Sequence, residues 1–437
     1  MSKDLLSIIK NRLNPLRMKV LLVRAGRHRS KLKHVNFVGI TGSAGKTTTK
    51  ELTAAILARF GPCRKTEASY NMTTDVIYAV LNTKDVHHYC VAEIGAYGPG
   101  TMDVPLQVFQ PSIAVVTLIG KDHISAYKQM DKLVAEKEKM IAALASDGTA
   151  VLNMDDPAVR GIGHRCDKRI IWFGRDPDAT LRLLEASSRW PDPLCLSFRY
   201  QGTTYEVRTQ LHGTHMTTAV LASLGVALAA GLPLQQAIEV ISQQKPSEGR
   251  MQPVASDDGV VFIRDDIKAP YWSLDVALAF MKNARAERKI AILGTISDSS
   301  SDDAKKYKKV CRQARTLVDQ VIFIGPSAHR ALRARTDEND RSIQGFPNPH
   351  AAWLYLQSEL RKGDLVLLKG SNRADHLVRL LLHREKPICC WANRCSIDIF
   401  CDHCPRLYSR SRWISVLTPL ILRMRSRDTD AQRARLG

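Results

Sequence analysis

Apolar and polar positions alternate in two rhythms along most of this chain. Short, nearly continuous apolar runs begin at 35–38 and recur at 89–94, 113–118 and 150–153, the pattern of strands buried on both faces. Between them lie helix-like segments, including 131–145. This alternation over 35–160 predicts a mainly parallel sheet covered by helices. Residues 169–211 change character: short runs such as 194–199 and 204–209 are separated by turn residues, which predicts a few antiparallel strands. A helix rich in Ala and Leu follows at 215–230 and is stopped by Gly231 and Pro233. A second α/β unit begins near Gly249, with strands at 260–264, 289–293, 320–324 and 365–369 and helices at 274–282, 304–317 and 349–360.

The first apolar run leads into Gly-Ile-Thr-Gly-Ser-Ala-Gly-Lys-Thr-Thr-Thr-Lys-Glu at 39–51, and an amphipathic stretch with Leu52, Ala55 and Ile56 follows. Strand, glycine loop and helix in that order make a phosphate cradle. Gly42, Ser43, Ala44 and Gly45 would wrap backbone N–H groups around the phosphates, and the helix N-terminus adds partial positive charge. Lys46 can reach the β- and γ-phosphates, the Thr47 hydroxyl can ligate Mg²⁺, and Thr48 completes the loop. Ile40 stands where the common P-loop pattern has its first glycine.

That variant loop resembles the Mur ligase family, particularly the branch that adds D-alanyl-D-alanine to muramoyl tripeptides. Segments in chain order extend the resemblance over about 36–385. It implies a Mg²⁺ ligand at Glu93 in Val-Ala-Glu-Ile-Gly-Ala, and a His that helps hold a second metal at His123 in Thr-Leu-Ile-Gly-Lys-Asp-His-Ile. Lys137, in Ala-Glu-Lys-Glu-Lys-Met, falls where many members carry a carbamylated lysine, although the acid expected two residues later is Lys139. The resemblance also implies nucleotide contacts at Asn153, His215, Arg250 and Asp265, with Met216 and Thr218 replacing two expected asparagines. Leu-Lys-Gly-Ser-Asn-Arg at 368–373 resembles a segment after the last strand of the D-alanyl-D-alanine-adding enzymes.

The fold these features predict is a P-loop central domain with a parallel sheet, followed by a smaller Rossmann-like C-terminal domain. The expected boundaries are a basic segment at 1–34, the ATP-binding domain at 35–245, the C-terminal domain at 246–385 and an appendage at 386–437. The implied activity is an ATP-dependent carboxylate–amine ligase working through an acyl phosphate with ATP and Mg²⁺. Lys46, Lys137 and His123 are the catalytic candidates, and the nucleotide is expected between the two domains. Fewer than forty residues precede the loop, and Asp265-Asp266-Ile267-Lys268-Ala269-Pro270-Tyr271 departs from the family's Asp-Ser-Tyr-Asn-Ala-Asn-Pro. These departures suggest that the family's UDP-binding domain is missing and that the substrate is not a standard UDP-muramoyl peptide. The alternative is an authentic D-alanyl-D-alanine-adding ligase of peptidoglycan synthesis.

Composition adds two features. The formal charge of +21 sits mostly at the ends: residues 1–36 hold ten Lys and Arg against one Asp, and residues 405–437 hold eight Arg against two Asp. Such ends favour anionic partners, so the expected partners are a small-molecule or lipid-linked carboxylate, an amino acid or dipeptide amine, and peripheral membrane contact through the basic termini. A nucleic-acid-binding P-loop ATPase is the rival from another class. It leaves His123 and Lys137 without roles, and no nucleic acid is expected. No secretory signal is visible and the apolar run 413–422 is too short to span a bilayer, so a cytoplasmic location is expected.

Five of the ten cysteines fall within the sixteen residues 389–404. Cys390 (or Cys389), Cys395, Cys401 and Cys404, with His403 nearby, offer soft ligands in a compact loop, and Cys401-x-x-Cys404 has chelating spacing. Structural zinc is the leading expectation there, ahead of an iron–sulfur cluster or unligated thiols.

Overall fold

The computed structural model describes residues 3–297, 303–393, 395 and 399–409, with side chains from residue 16 onward. It divides into two compact units. The first runs to Met251 and takes in Asn283–Arg285; the second is formed from Gln252 onward.

The first unit is built on a nine-stranded sheet. Its strands are β1 (Asn36–Thr41), β2 (Cys63–Lys65), β3 (Tyr89–Glu93), β4 (Ile113–Val116), β5 (Thr149–Asn153), β6 (Arg169–Gly174), β7 (Leu181–Ser187), β8 (Cys195–Tyr200) and β9 (Thr203–Arg208), in the order β2-β3-β1-β4-β5-β6-β7-β8-β9. Pairing is parallel from β2 through β7 and antiparallel for β7–β8 and β8–β9. The central strands β3, β4 and β5 are buried along their whole length, as continuous apolar runs require when helices cover both faces. The few antiparallel strands expected over 169–211 are present as β7, β8 and β9, while β6 continues the parallel sheet. Ile171 and Phe173 alternate with half-exposed neighbours, so β6 resembles the strands after it in pattern while pairing with those before it.

Helix α1 (Lys3–Arg29) precedes β1, and helix α2 (Lys46–Ala58) follows it directly. The 215–230 segment is a single turn at Thr214–Met216 followed by the helix Thr217–Ala229, buried on nearly every side.

The second unit carries a six-stranded sheet of β10 (Gln252–Ala255), β11 (Val261–Asp265), β12 (Arg288–Leu293), β13 (Gln320–Ile324), β14 (Ile343–Phe346) and β15 (Asp364–Lys369). Their order is β10-β11-β15-β12-β13-β14, parallel except for β10. The short strands β10 and β14 escaped the sequence reading, having four residues each and partial burial.

The described residues of 386–409 pack on this second unit, and the basic tail with the apolar run 413–422 lies outside the described residues. Cys401, Leu407 and Ile388 form an apolar cluster with Val378. Asp402 accepts from Arg264 at 2.7 and 3.1 Å, a two-point contact. Cys401 Sγ accepts from Arg379 Nε at 3.3 Å and lies 3.4 Å from His376 Nδ1. This corrects the zinc expectation. Among the described residues no group of three or more His, Cys, Asp and Glu could hold a metal ion, and none of Cys390, Cys395, Cys401 and Cys404 is in a disulfide. Apolar burial and an ion pair hold the knob instead, and burial pushes the Cys401 thiol up to about 11, keeping it protonated.

Candidate active site

The site begins where β1 ends. Gly42 has φ +146° and Gly45 φ +78°, so the chain turns through conformations that suit glycine before α2 starts. A Cβ on Gly42 would fall 1.9 Å from Thr117 Oγ1. The loop after β4 clamps this turn: Thr117 Oγ1 donates to Ala44 O at 2.6 Å, Ser43 N donates to Leu118 O at 2.8 Å, and Ser43 Oγ donates to Gly120 O at 3.1 Å. The cradle is therefore held open by its neighbours, with the N-terminus of α2 facing it. That is an anion site by construction.

Two ammonium groups meet on one oxygen of the loop. Lys46 Nζ donates to Gly42 O at 2.7 Å, and Lys137 Nζ donates to the same oxygen at 3.0 Å. Lys137 comes from the helix Met130–Ala142 and is buried. The sequence placed these lysines 91 positions apart, yet both point at the phosphate loop. Lys139, where the family's acid was expected, forms ion pairs with Asp103 at 2.5 Å and Glu136 at 2.9 Å, which raise its pKa with the Asp103 contact leading. Glu136 also accepts from the N–H groups of Gly100 and Met102 at 2.9 and 2.8 Å, so a buried carboxylate sits one position before Lys137 and fixes the 98–102 loop.

The metal-facing side forms a second cluster. Thr47 Oγ1 donates to Glu93 Oε2 at 2.7 Å, and Asn71 Nδ2 donates to Glu93 Oε1 at 2.5 Å. Tyr97 O–H donates to Asn71 Oδ1 at 2.7 Å, and the Tyr97 ring meets the His123 ring edge-on at 5.9 Å. Burial first, then the Glu93 charge, pushes the Tyr97 phenol up, so it remains a donor. His123 itself has φ +52° at the start of a short helix, with Asp122 Oδ1 3.6 Å from its Nε2. One buried carboxylate beside a hydroxyl fits Mg²⁺, a hard cation that takes few protein ligands and completes its shell with substrate phosphates and water.

Sequence reasoning missed Asn71 and Tyr97, which lie in loops with no spacing signal, and gave no role to Thr117, which opens the segment that carries His123. It also missed what Lys50 does. Lys50 is completely buried, donates to Thr66 O at 2.7 Å and to Ala68 O, and pairs with Glu51 at 2.9 Å. It thereby ties α2 to the loop that carries Asn71. Burial would raise the Glu51 carboxyl, but Lys50 and Lys65 together pull it below its ordinary range.

The remaining candidates are placed as follows. Asn153 is buried at the end of β5, donating to Thr117 O at 2.8 Å and accepting from Asp155 N at 3.0 Å, so its amide links the strand end to the loop clamp. His215 is exposed, and its ring lies so close to Gly213 that a Cβ there would meet it at 2.4 Å. Arg250 is half-buried, with its Nε enclosed and without a hydrogen-bond partner among the described residues. Thr48 is buried in the first turn of α2. In the second unit, Asp265 ends β11 and accepts from Lys369 Nζ at 2.7 Å, the two being register partners on β11 and β15.

Cradle, converging lysines and buried carboxylate define a P-loop nucleotide-dependent enzyme carrying a second α/β unit. Comparison with known proteins carries this further. The Mur ligase middle domain matches residues 40–227, and the Mur ligase glutamate ligase domain matches residues 249–372. The chain belongs to the Mur ligase family, whose members are ATP-dependent, Mg²⁺-using amide-bond ligases.

The chain is 28% identical over 370 residues to the UDP-N-acetylmuramoyl-tripeptide–D-alanyl-D-alanine ligase of Mycobacterium tuberculosis (strain ATCC 25618 / H37Rv), covering 78% of this chain and 71% of that protein. In fold it is similar to MurF from Acinetobacter baumannii, with TM-score 0.75 and 23% identity over 84% of this chain and 80% of the other. It is also similar to MurF ligase from Thermotoga maritima in complex with ADP, with TM-score 0.73 and 22% identity over 84% of each chain.

Proposed function

We propose that this enzyme joins a dipeptide amine of the D-alanyl-D-alanine type to the terminal carboxylate of a muramoyl-peptide precursor, with ATP as the energy source. The observation that supports the ATP-dependent chemistry of this reading is the convergence of Lys46 and Lys137 on the Gly42 carbonyl beside the Thr47–Glu93 pair. The M. tuberculosis relative favours this substrate class over the non-standard carboxylate that the altered 265–271 stretch suggested. No observation of the described residues favours a lipid-linked acceptor.

The chain's own groups would divide the work as follows. Backbone N–H groups of residues 42–48 and the start of α2 hold the nucleotide phosphates. Lys46 follows the charge that builds on the transferring phosphoryl oxygens, where a preorganised cation has most effect. Bound Mg²⁺, held through Thr47 and Glu93 with His123 close by, would neutralise phosphate charge. Lys137, as an ammonium or after carbamylation, faces the same loop. Asn153, His215, Arg250 and Asp265 remain the proposed nucleotide contacts. The carboxylate oxygen attacks the γ-phosphorus and ADP leaves; the amine then attacks the acyl carbon, phosphate leaves, and an amide remains.

Incubation with UDP-muramoyl-tripeptide, D-alanyl-D-alanine, ATP and Mg²⁺ tests the substrate assignment. Mass spectrometry should show the condensed pentapeptide product together with ADP. Turnover only with a different carboxylate would reject the assignment while leaving the ligase chemistry in place.

A further inference from the structure

Helix α1 is anchored firmly at its C-terminal end. His28 Nε2 lies 2.7 Å from Thr83 O, Arg29 donates to Phe109 O and Gln110 O at 2.9 Å each, and the Arg29 guanidinium lies 3.9 Å over the Phe37 ring. Met18, Leu21, Leu22 and Ala25 pack against the core of the first unit. A helix with one apolar face buried would normally turn charge outward. Here the outward face is apolar as well: Leu16, Val20 and Val23 are 61%, 52% and 54% exposed.

These three residues are four and three positions apart, so they form one line along the helix. Exposed Arg17 and Arg24 border the line on one side, exposed Lys19 borders it on the other, and exposed Arg27 continues it. An aliphatic line inside a basic border matches a surface that offers apolar chains beneath a layer of negative charge. A second copy of the helix would bring Arg17, Lys19 and Arg24 against their own kind, and nucleic acid has nothing to cover the aliphatic line. No described helix is long and apolar enough to cross a membrane, so the helix would lie on the surface and not span it.

We propose that α1 docks the enzyme on an anionic phospholipid surface. Leu16, Val20 and Val23 enter the acyl boundary, and Arg17, Lys19, Arg24 and Arg27 sit at headgroup phosphates. The proposal is independent of which carboxylate or amine the enzyme uses.

The test is sedimentation of the full chain with phosphatidylcholine vesicles and with vesicles that also contain phosphatidylglycerol. Binding is expected to the anionic vesicles alone and to weaken as salt rises. The charge-neutral variant Leu16→Gln/Val20→Gln/Val23→Gln should bind about tenfold more weakly, and Arg17→Ala/Arg24→Ala should show a similar loss. Both should keep the wild-type unfolding midpoint, because every altered side chain is exposed. Undiminished binding by the glutamine variant would overturn the proposal, since attraction would then come from other basic segments. Absence of vesicle binding would also overturn it, as would a wild-type dimer that the glutamine variant dissolves.

Discussion

Single side chains decide how the phosphate loop works. Lys46→Ala removes one of the two cations on the Gly42 carbonyl and should lower ATP-dependent product formation by ~10³-fold without changing the unfolding midpoint. Tyr97 makes a subtler prediction. Its hydroxyl orients Asn71, which orients Glu93, so Tyr97→Phe keeps the ring beside His123 and removes only the orienting hydrogen bond. The expected result is Mn²⁺ affinity weakened roughly tenfold, read by paramagnetic resonance in the presence of nucleotide. Unchanged Mn²⁺ affinity would mean that Glu93 is held by Thr47 alone. At this scale the sequence was informative where chemistry clusters in a contiguous motif, as in residues 42–48. It was silent where loops distant in sequence converge, because Asn71 and Tyr97 acquire their roles only when β3 carries Glu93 up beside α2.

The strand–loop–helix element β1–α2 was legible because its constraints are local: a buried apolar strand, glycines where φ is positive, then an amphipathic helix. Gly42→Ala tests that element directly. The added methyl would have to displace Thr117, and φ +146° strains any side chain, so turnover should fall by ~10²-fold or more as the cradle shifts. The pairing of β6 was not legible because alternating burial is shared by edge-like parallel strands and antiparallel ones, and pairing partners are not a local property. The cysteine segment was misjudged for a related reason. Chelating spacing makes a metal site only if the thiols converge, and here Cys401 turns inward onto Arg379 and His376 instead.

This inward docking gives the second unit a pH signature. Burial, then the neighbouring Arg379 charge, lowers the His376 pKa to about 4. Between there and the ordinary histidine value near ~6.5 the unfolded chain binds a proton that the folded chain refuses. Stability from this group is therefore complete above that ordinary value and is lost as pH falls toward 4, by a total of about 3 kcal/mol. Urea titrations at several pH values should show the loss in wild type, and His376→Leu should flatten it.

For the whole molecule, the two-unit order and the ligase chemistry could be expected from the order of motifs, whereas the substrate could not. Acceptor recognition depends on surfaces that no short motif encodes, and altered residues at 265–271 point away from the standard acceptor while the relatives point toward it. Asp265 illustrates the difficulty, since its carboxylate is already engaged by Lys369 within the second unit. The described residues of 386–409 are packed onto that unit. Asp402→Ala leaves the buried Arg264 with one partner fewer and should cost about 2 kcal/mol in urea unfolding, with faster proteolysis of residues 386–409.

In the proposed reaction the P-loop directs the γ-phosphoryl of ATP to a carboxylate that an amine then captures. The most direct measurement follows the carboxylate's oxygen. With the acceptor carboxylate labelled by heavy oxygen and the amine present, the label should appear in the released inorganic phosphate, alongside ADP and amide. Unlabelled phosphate, or label found in AMP, would contradict it.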